Sequence, residues 1–215
     1  NLWGLMWDYA VIHEIVTADK RDIIKYVNIN KPGNPNSYNR KPFTRNEIKM
    51  LWDLQGSNEY LSVVLMLIYT GVRIGELLGL EKKDIHLDER WFYVKEAKTE
   101  AGIREVPIAE KIVPFFEYWM KKDCNHLICT PNGEPFTYRN YYDSYWIPLM
   151  LQLNMGKYVI EEDKKEPVYN GHRPHDTRHT CVSLLTEAKV DKIIIKKIVG
   201  HKGQDVTEIV YTHVD

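Results

Sequence analysis

Four short stretches of this chain hold the residue types that chemistry at a phosphodiester requires. Three crowd the last quarter: His175-Asp176-Thr177-Arg178-His179, Gly200-His201 and Tyr211-Thr212-His213. The fourth, Thr70-Gly71-Val72-Arg73-Ile74-Gly75-Glu76, lies about a hundred residues upstream of Arg178. Transesterification at phosphorus passes through a crowded pentavalent state whose non-bridging oxygens gain negative charge, so the site needs cationic, planar donors aimed at them. A guanidinium supplies both charge and a two-pronged fork, where an ammonium supplies charge alone. Arg73 and Arg178 are the candidates for such a clamp, although either one taken singly reads as an ordinary surface salt-bridge residue. A tyrosine hydroxyl, with a pKa of about 10, becomes a useful attacking group only beside a base or in a strongly cationic pocket. The chain has 14 tyrosines, so identity alone singles none out. Tyr211 stands out by following His201 and preceding Thr212-His213.

In this order the four stretches resemble the tyrosine recombinase (phage integrase) family, and the resemblance covers residues 40 to 215. It implies a site of two arginines, two histidines, a lysine and a nucleophilic tyrosine: Arg73, Arg178, His175, His201, Lys98 and Tyr211. His175 is placed to accept the phenolic proton and His201 to hydrogen-bond a non-bridging oxygen. For His201, directly after Gly200, a C-terminal helix cap is the rival reading. His179 and His213 fall outside the catalytic set. Lys98-Thr99 followed by Arg104-Glu105-Val106-Pro107-Ile108 matches the family's hairpin lysine, which protonates the departing 5′-oxygen; Lys95, earlier on the strand, is the lesser competitor. Glu76, three residues after Arg73 on a helix, shares a face with it and holds its guanidinium in place. The spacing from His201 to Tyr211 is one residue longer than is common in the family, an insertion expected to be absorbed in Lys202-Gly203-Gln204-Asp205.

The implied activity is site-specific cutting and rejoining of DNA strands, for integration or excision of a mobile element. Tyr211 attacks the scissile phosphate, leaves a 3′-phosphotyrosine link and frees a 5′-hydroxyl; the 5′-hydroxyl of a second strand then attacks that link. The bond energy stays in the phosphotyrosine, so neither a cofactor nor a metal is implied, and the chain has neither a P-loop nor a carboxylate cluster. The implied partners are double-stranded DNA attachment sites, further copies of the chain in a homotetramer on DNA, and accessory directionality or DNA-bending proteins, with no membrane. The implied place is the cytoplasm of a bacterial cell, in association with the nucleoid. Two rivals stay open: a type IB topoisomerase, which rejoins the original strand, and a DNA-binding regulator that keeps the fold without the chemistry.

Composition is neutral on this question. The 215 residues are 44% hydrophobic and 27% charged, as in ordinary soluble domains, and the net charge of -1 carries no global signal for nucleic acid. A DNA reader of neutral charge must gather its cations on one face. Arg40, Lys41, Arg45, Lys49, Arg139, Arg173 and Lys202 are the candidates for phosphate contacts, each of them singly an ordinary solvated residue. Cys124, Cys129 and Cys181 form no even framework and read as reduced thiols. Cys124-Asn125-His126-Leu127-Ile128-Cys129 lacks a second ligand pair at zinc-finger spacing and is expected to be a strand with half-buried thiols. No stretch reaches the roughly 18 apolar residues of a membrane span. The opening residues lack a basic leader and an initiator methionine, so the chain reads as an excised fragment.

These residues must be positioned by a fold. The resemblance implies an α+β class, mostly α-helical, with a small three-stranded antiparallel sheet at one edge. Residues 1–30 are expected to be the C-terminal helix of a core-binding domain, 31–39 a Pro/Gly/Asn-rich linker and 40–215 the catalytic domain. Apolar periodicity predicts one helix from 2 to about 27. A capping box at Thr44-Arg45-Asn46-Glu47 opens a helix through Leu54. A helix from Glu59 to Tyr69, with Leu61, Val64, Leu65 and Ile68 facing the core, is broken by Thr70-Gly71, and a short one runs from Arg73 to Leu80. Strands are predicted at Asp84–Leu87, Trp91–Ala97 and Ile103–Ile108, the last two joined by a turn at Lys98-Thr99-Glu100-Ala101-Gly102. Further helices are predicted near 109–121, 137–153, 177–188, 191–199 and 205–212. Glu161 to Glu166 reads as a solvated loop.

Overall fold

The computed structural model describes residues 2–17, 41–95, 103–160 and 166–200. The chain divides into two units, 1–39 and 40–215. In the first, α1 (Leu2–Ile12) ends well before the sequence expectation of about 27. Glu14 turns into the left-handed region at φ 54°, and the β-branched run Ile15-Val16-Thr17 that follows is a poor continuation for a helix. Leu5, Met6, Tyr9 and Ile12 of α1 are exposed.

The second unit opens on α2 (Arg45–Asp53), capped as expected: the Thr44 hydroxyl accepts the Glu47 amide, and the Glu47 carboxylate accepts the Thr44 amide at 2.7 Å. The next helix, α3 (Glu59–Thr70), departs from its predicted one-sided core face. Every residue from Tyr60 to Ile68 is buried, so α3 is the central helix of the unit and its apolar positions go all the way round. It ends at Gly71, which takes φ 66° and donates its amide to the Leu67 carbonyl. Arg73 then caps the short α4 (Ile74–Leu78).

Three short strands follow, β1 (Ile85–His86), β2 (Trp91–Val94) and β3 (Arg104–Pro107), paired antiparallel in that order. In β3, Arg104 and Val106 point inward while Glu105 and Pro107 point out. The predicted turn at 98–102, the linker at 31–39 and the helix at 205–212 lie outside the described residues. After α5 (Val113–Met120), the helix predicted over 137–153 is real but interrupted. α6 (Tyr138–Tyr141) widens into a π-helical turn at Tyr142–Trp146 before α7 (Ile147–Gln152). Pro148, second in α7, has no amide to give to the preceding turn, which accounts for the widening.

A second hairpin, β4 (Gly156–Val159) with β5 (Val168–Gly171), has no counterpart in the sequence reading. Gly156 faces Gly171 across it, and the Tyr169 ring covers both; a Cβ on Gly156 would lie 2.6 Å from that ring. The segment from Cys124 to Cys129 is not a strand but an irregular loop with single bridges at His126 and Cys129. Cys124 is half-buried and Cys129 buried. Burial first, and the Cys124 thiol next, push the Cys129 thiol up to about 11. Among the described residues no helix is long and apolar enough to cross a membrane.

The last two helices bring the chain back onto α3. α8 (Pro174–Glu187) packs along it, and α9 (Lys192–Val199) packs on α8 and β3. Two polar ties fix the start of α8. The Phe43 amide donates to Thr180 Oγ1 at 2.8 Å, anchoring the extended segment that precedes α2. His172, stacked on the Phe43 ring at 3.9 Å, lies between carboxylates, with Nε2 3.1 Å from Glu47 and Nδ1 3.4 Å from Asp176.

Two stability tests follow from these contacts. A Cβ on Gly71 would stand 2.8 Å from Cys181 Sγ and 3.1 Å from Val199 Cγ1, on a backbone at φ 66°. Gly71→Ala should therefore cost about 2–5 kcal/mol in urea unfolding, from left-handed strain plus overpacking. A Cys181→Ala background should return the packing part and leave the strain. The second test concerns His172. Burial opposes its charge, but the Asp176 carboxylate beside Nδ1 and the Glu47 carboxylate on Nε2 outweigh that and raise its pKa above the ordinary 6.5. Burial likewise opposes Glu47, whose bonds to Thr44 and the charge of His172 lower its pKa below 4.5. A raised histidine stabilises fully below pH 6.5 and ceases to as pH climbs through the raised value; a lowered glutamate stabilises above 4.5 and ceases to as pH falls through the lowered one. His172→Gln should thus cost most between pH 4.5 and 6.5, about 2 kcal/mol, and clearly less at pH 9. A pH-independent difference in urea midpoint would refute the charged bridge.

Candidate active site

The turn after α3 and the first half of α8 build the site together. Arg178 is buried, only 2% exposed, and its Nη1 donates to the Gly71 carbonyl at 2.9 Å. That carbonyl sits at the C-terminal end of α3, where the helix dipole favours a cation. Among the described residues, Nε and Nη2 of Arg178 have no hydrogen-bond partner. Burial, and then the positive charge of Arg73, push its pKa down to about 9, so the group stays charged near neutral pH although the fold disfavours the charge. A buried guanidinium with two donors unspent is an expensive feature for a fold to keep, and it is a ready receptor for an oxyanion.

Arg73 reaches the same region from the other side of the turn. Its side chain is 42% exposed, and Nη1 donates to Glu76 Oε1 at 2.6 Å while its backbone amide donates to Oε2 at 2.9 Å. Glu76, 6% exposed, also accepts from Arg104, whose Nη2 lies 2.8 Å from Oε2. Burial raises the Glu76 pKa, but Arg104 first and Arg73 second outweigh it, and the carboxyl is held below its ordinary range. One ionised carboxylate thus serves two guanidiniums, while Arg178 has none. The four side chains carry three positive charges and one negative.

His175 lies one turn before Arg178 on α8, on the same face and half-buried. Its ring is 5.1 Å from that of His179 in an edge-to-face arrangement, so His179 packs beside it. α9 ends at Gly200, which takes φ 67° and gives its amide to the Lys196 carbonyl. The cap is therefore made by Gly200, immediately before His201. His201, Tyr211 and Lys98 lie outside the described residues, as do Arg40 and Lys202. Lys95, the competitor to Lys98, forms an ion pair with the buried Asp84 at the base of the sheet.

Of the cations offered for phosphate contacts, Lys41 and Arg173 are exposed. Ion pairs on the surface join Arg45 to Glu187 at 2.5 Å, Lys49 to Asp53 at 2.6 Å and Arg139 to Asp143 at 3.5 Å. Such exposed pairs contribute little to stability. Among the described residues, no group of three His, Cys, Asp or Glu is arranged to hold a metal ion.

Sequence reasoning passed over Arg104 and the Glu47–His172–Asp176 bridge. The signal for Arg104 was present: it shares strand phase with Val106 and Ile108, and a charged residue at an inward position must have a partner. For His172 no comparable signal exists, because its partner Glu47 lies 125 residues away.

The model of the phage integrase family matches residues 43–215. The ICEBs1 integrase of Bacillus subtilis (strain 168) is 27% identical over 235 residues, covering 97% of this chain and 58% of that protein. Tyrosine recombinase XerC of Salmonella typhi is 27% identical over 153 residues, covering 67% of this chain and 45% of that protein. The chain therefore spans about half the length of these curated relatives. Among solved structures, the Tn1549 transposon integrase in complex with transposon right end DNA superposes with a TM-score of 0.67 at 25% identity, covering 84% of this chain and 64% of that one. A lambda integrase dimer bound to a core site shares the fold, with a TM-score of 0.65 at 15% identity over 95% of this chain and 55% of that one. With the match extending over most of its length and including the turn of Arg73 and the helix of Arg178, the chain belongs to the phage integrase family of tyrosine recombinases.

Proposed function

We propose that this chain carries the catalytic part of a site-specific DNA recombinase, which cuts and rejoins DNA strands through a 3′-phosphotyrosine intermediate to integrate or excise a mobile element. The observation that carries this reading is Arg178: a buried, charged guanidinium with Nε and Nη2 unspent, facing the same turn as an Arg73 already braced by Glu76. Such a pair suits the two non-bridging oxygens of a phosphodiester and the extra charge they gain at the pentavalent state. Family membership and the DNA-bound integrase relative support the reading over a relaxing topoisomerase or a non-catalytic binder.

In the proposed reaction the Tyr211 phenol gives its proton toward His175, and its oxygen forms a bond to the scissile phosphorus. The bond from phosphorus to the 5′-oxygen breaks, and Lys98 supplies the proton that turns this oxygen into a hydroxyl. His201 donates to a non-bridging oxygen beside Arg73 and Arg178. Attack by a 5′-hydroxyl from another strand restores the diester and releases Tyr211. One ester replaces another at each step, so no nucleotide need be consumed. The proposed substrate is a double-stranded attachment site, with four copies of the protein assembled on two duplexes and accessory directionality or bending proteins adjusting the outcome.

The founding test is a nicked suicide duplex carrying the candidate attachment site, incubated with the protein and examined for an SDS-resistant adduct. An adduct that maps to Tyr211 and vanishes in Tyr211→Phe is expected; none forming on DNA that the protein demonstrably binds would sink the proposal. Arg178 and Glu76 should then separate stability from activity. Arg178→Met removes a charge that the fold disfavours, so its thermal midpoint should equal or exceed that of the parent while cleavage falls by a factor on the order of 10²–10³. Glu76→Gln removes a charge that the fold favours, so it should lose stability and lose less cleavage than Arg178→Met. The reverse ranking in either measurement would refute this division of roles.

A further inference from the structure

We propose that Arg104 is a positioning residue for the strand-cleavage reaction, a single guanidinium that fixes both the carboxylate behind Arg73 and the end of α9 from which His201 follows. The proposal rests on the recombinase reading above. Arg104 opens β3 with its side chain turned inward and only 7% exposed. Nη2 donates to Glu76 Oε2 at 2.8 Å, and Nη1 lies 3.4 Å from Oε1. On another side of the same plane, Nε donates to the Ile198 carbonyl at 2.6 Å. The carbonyls of a helix's last turn lack intrahelical partners and carry the negative end of its dipole, so a cation there is doubly favoured. Ile198 precedes His201 by three residues, and Lys98 precedes Arg104 by six. The end of α9, the start of β3 and the carboxylate behind Arg73 therefore meet at one planar group.

Charge neutralisation does not account for this arrangement. Arg73 alone would balance Glu76, and Arg104 adds a further buried positive charge beside Arg178. A buried pair of this kind contributes little stability over an apolar replacement, so its value is geometric. The direction matters as much as the charge. A guanidinium holds a carboxylate and a carbonyl at fixed angles in one plane, while an ammonium would be a point donor free to choose either. With the Arg104 fork across both carboxylate oxygens, Glu76 is held in the orientation in which Oε1 takes Arg73 Nη1 and Oε2 the Arg73 amide, and a sub-ångström error in a phosphate clamp is costly to the reaction.

The test uses Arg104→Lys and the apolar Arg104→Met, the second guarding against a misfolded first. Each is measured for binding to the attachment-site duplex, for single-turnover cleavage of the nicked suicide duplex at saturating protein, and for hydrogen exchange without DNA. Both variants should bind DNA within about twofold of the parent and cleave it 10- to 100-fold more slowly. Exchange should rise in peptides covering the end of α9 and the start of α4, with α5 and α7 unchanged. Cleavage within threefold of the parent in both variants would overturn the proposal, as would a uniform rise in exchange, which marks a general stability role. If the parent chain itself forms no adduct, the recombinase reading fails, and exchange alone decides the tie: a local rise keeps Arg104 as the link between α9 and Glu76, and no local rise removes it.

Discussion

The contact on which the site depends is the hydrogen bond from Arg178 to the Gly71 carbonyl. It joins the end of the most buried helix to the middle of α8, so Arg73 and Arg178 are referenced to a part of the molecule that cannot easily move. Gly71 makes the approach feasible twice over. Its left-handed backbone turns the chain toward Arg73, and its missing Cβ leaves room for Cys181 and Val199 of the two closing helices. Around this point the fold keeps three guanidiniums and one carboxylate. The excess of positive charge costs the free protein stability, and it is the charge that a phosphodiester would neutralise on arrival.

The rest of the unit holds that charge cluster in place with apolar burial and a few polar ties. α3 is enclosed on every side, which explains how a short helix can serve as the reference for everything else. Glu47, His172 and Asp176 bind the start of α8 to the start of α2, and Asp176 also accepts the Arg173 amide at the first turn of α8. The residues that lead to Arg178 are thus capped, bridged and stacked before the helix proper begins. Electrostatics at the surface follow a different logic. Arg45, Lys49 and Arg139 each sit with a nearby carboxylate, so these surface cations add little net charge to a chain whose total is -1.

Much of the fold was legible because its determinants are local. The Thr44 capping box, the Gly71 and Gly200 helix ends and the alternation in β2 and β3 are each decided within a few residues, and each has its predicted element. Where the local signal was weak, the reading failed. β4 and β5 are four residues each and flank a charged run, so neither alternation nor turn chemistry announced them. The first helix was overextended because Val16 fits the helical spacing, yet the β-branched side chains of Ile15, Val16 and Thr17 disfavour its continuation.

The sequence by itself determined the family: arginines in two motifs, with histidine and tyrosine at set distances, are an inventory that needs no coordinates to be recognised, and the family match over residues 43–215 bears it out. Tertiary structure alone decided which of those groups share a charge and which stand unspent. That Arg178 is buried with free donors, that Glu76 is divided between Arg73 and Arg104, and that Arg104 also reaches the end of α9 all depend on contacts 28 to 107 residues apart in the chain. Hydrogen bonds and desolvation act through distances in space, and sequence patterns report only neighbours along the chain, so the arrangement of charge had to wait for the fold.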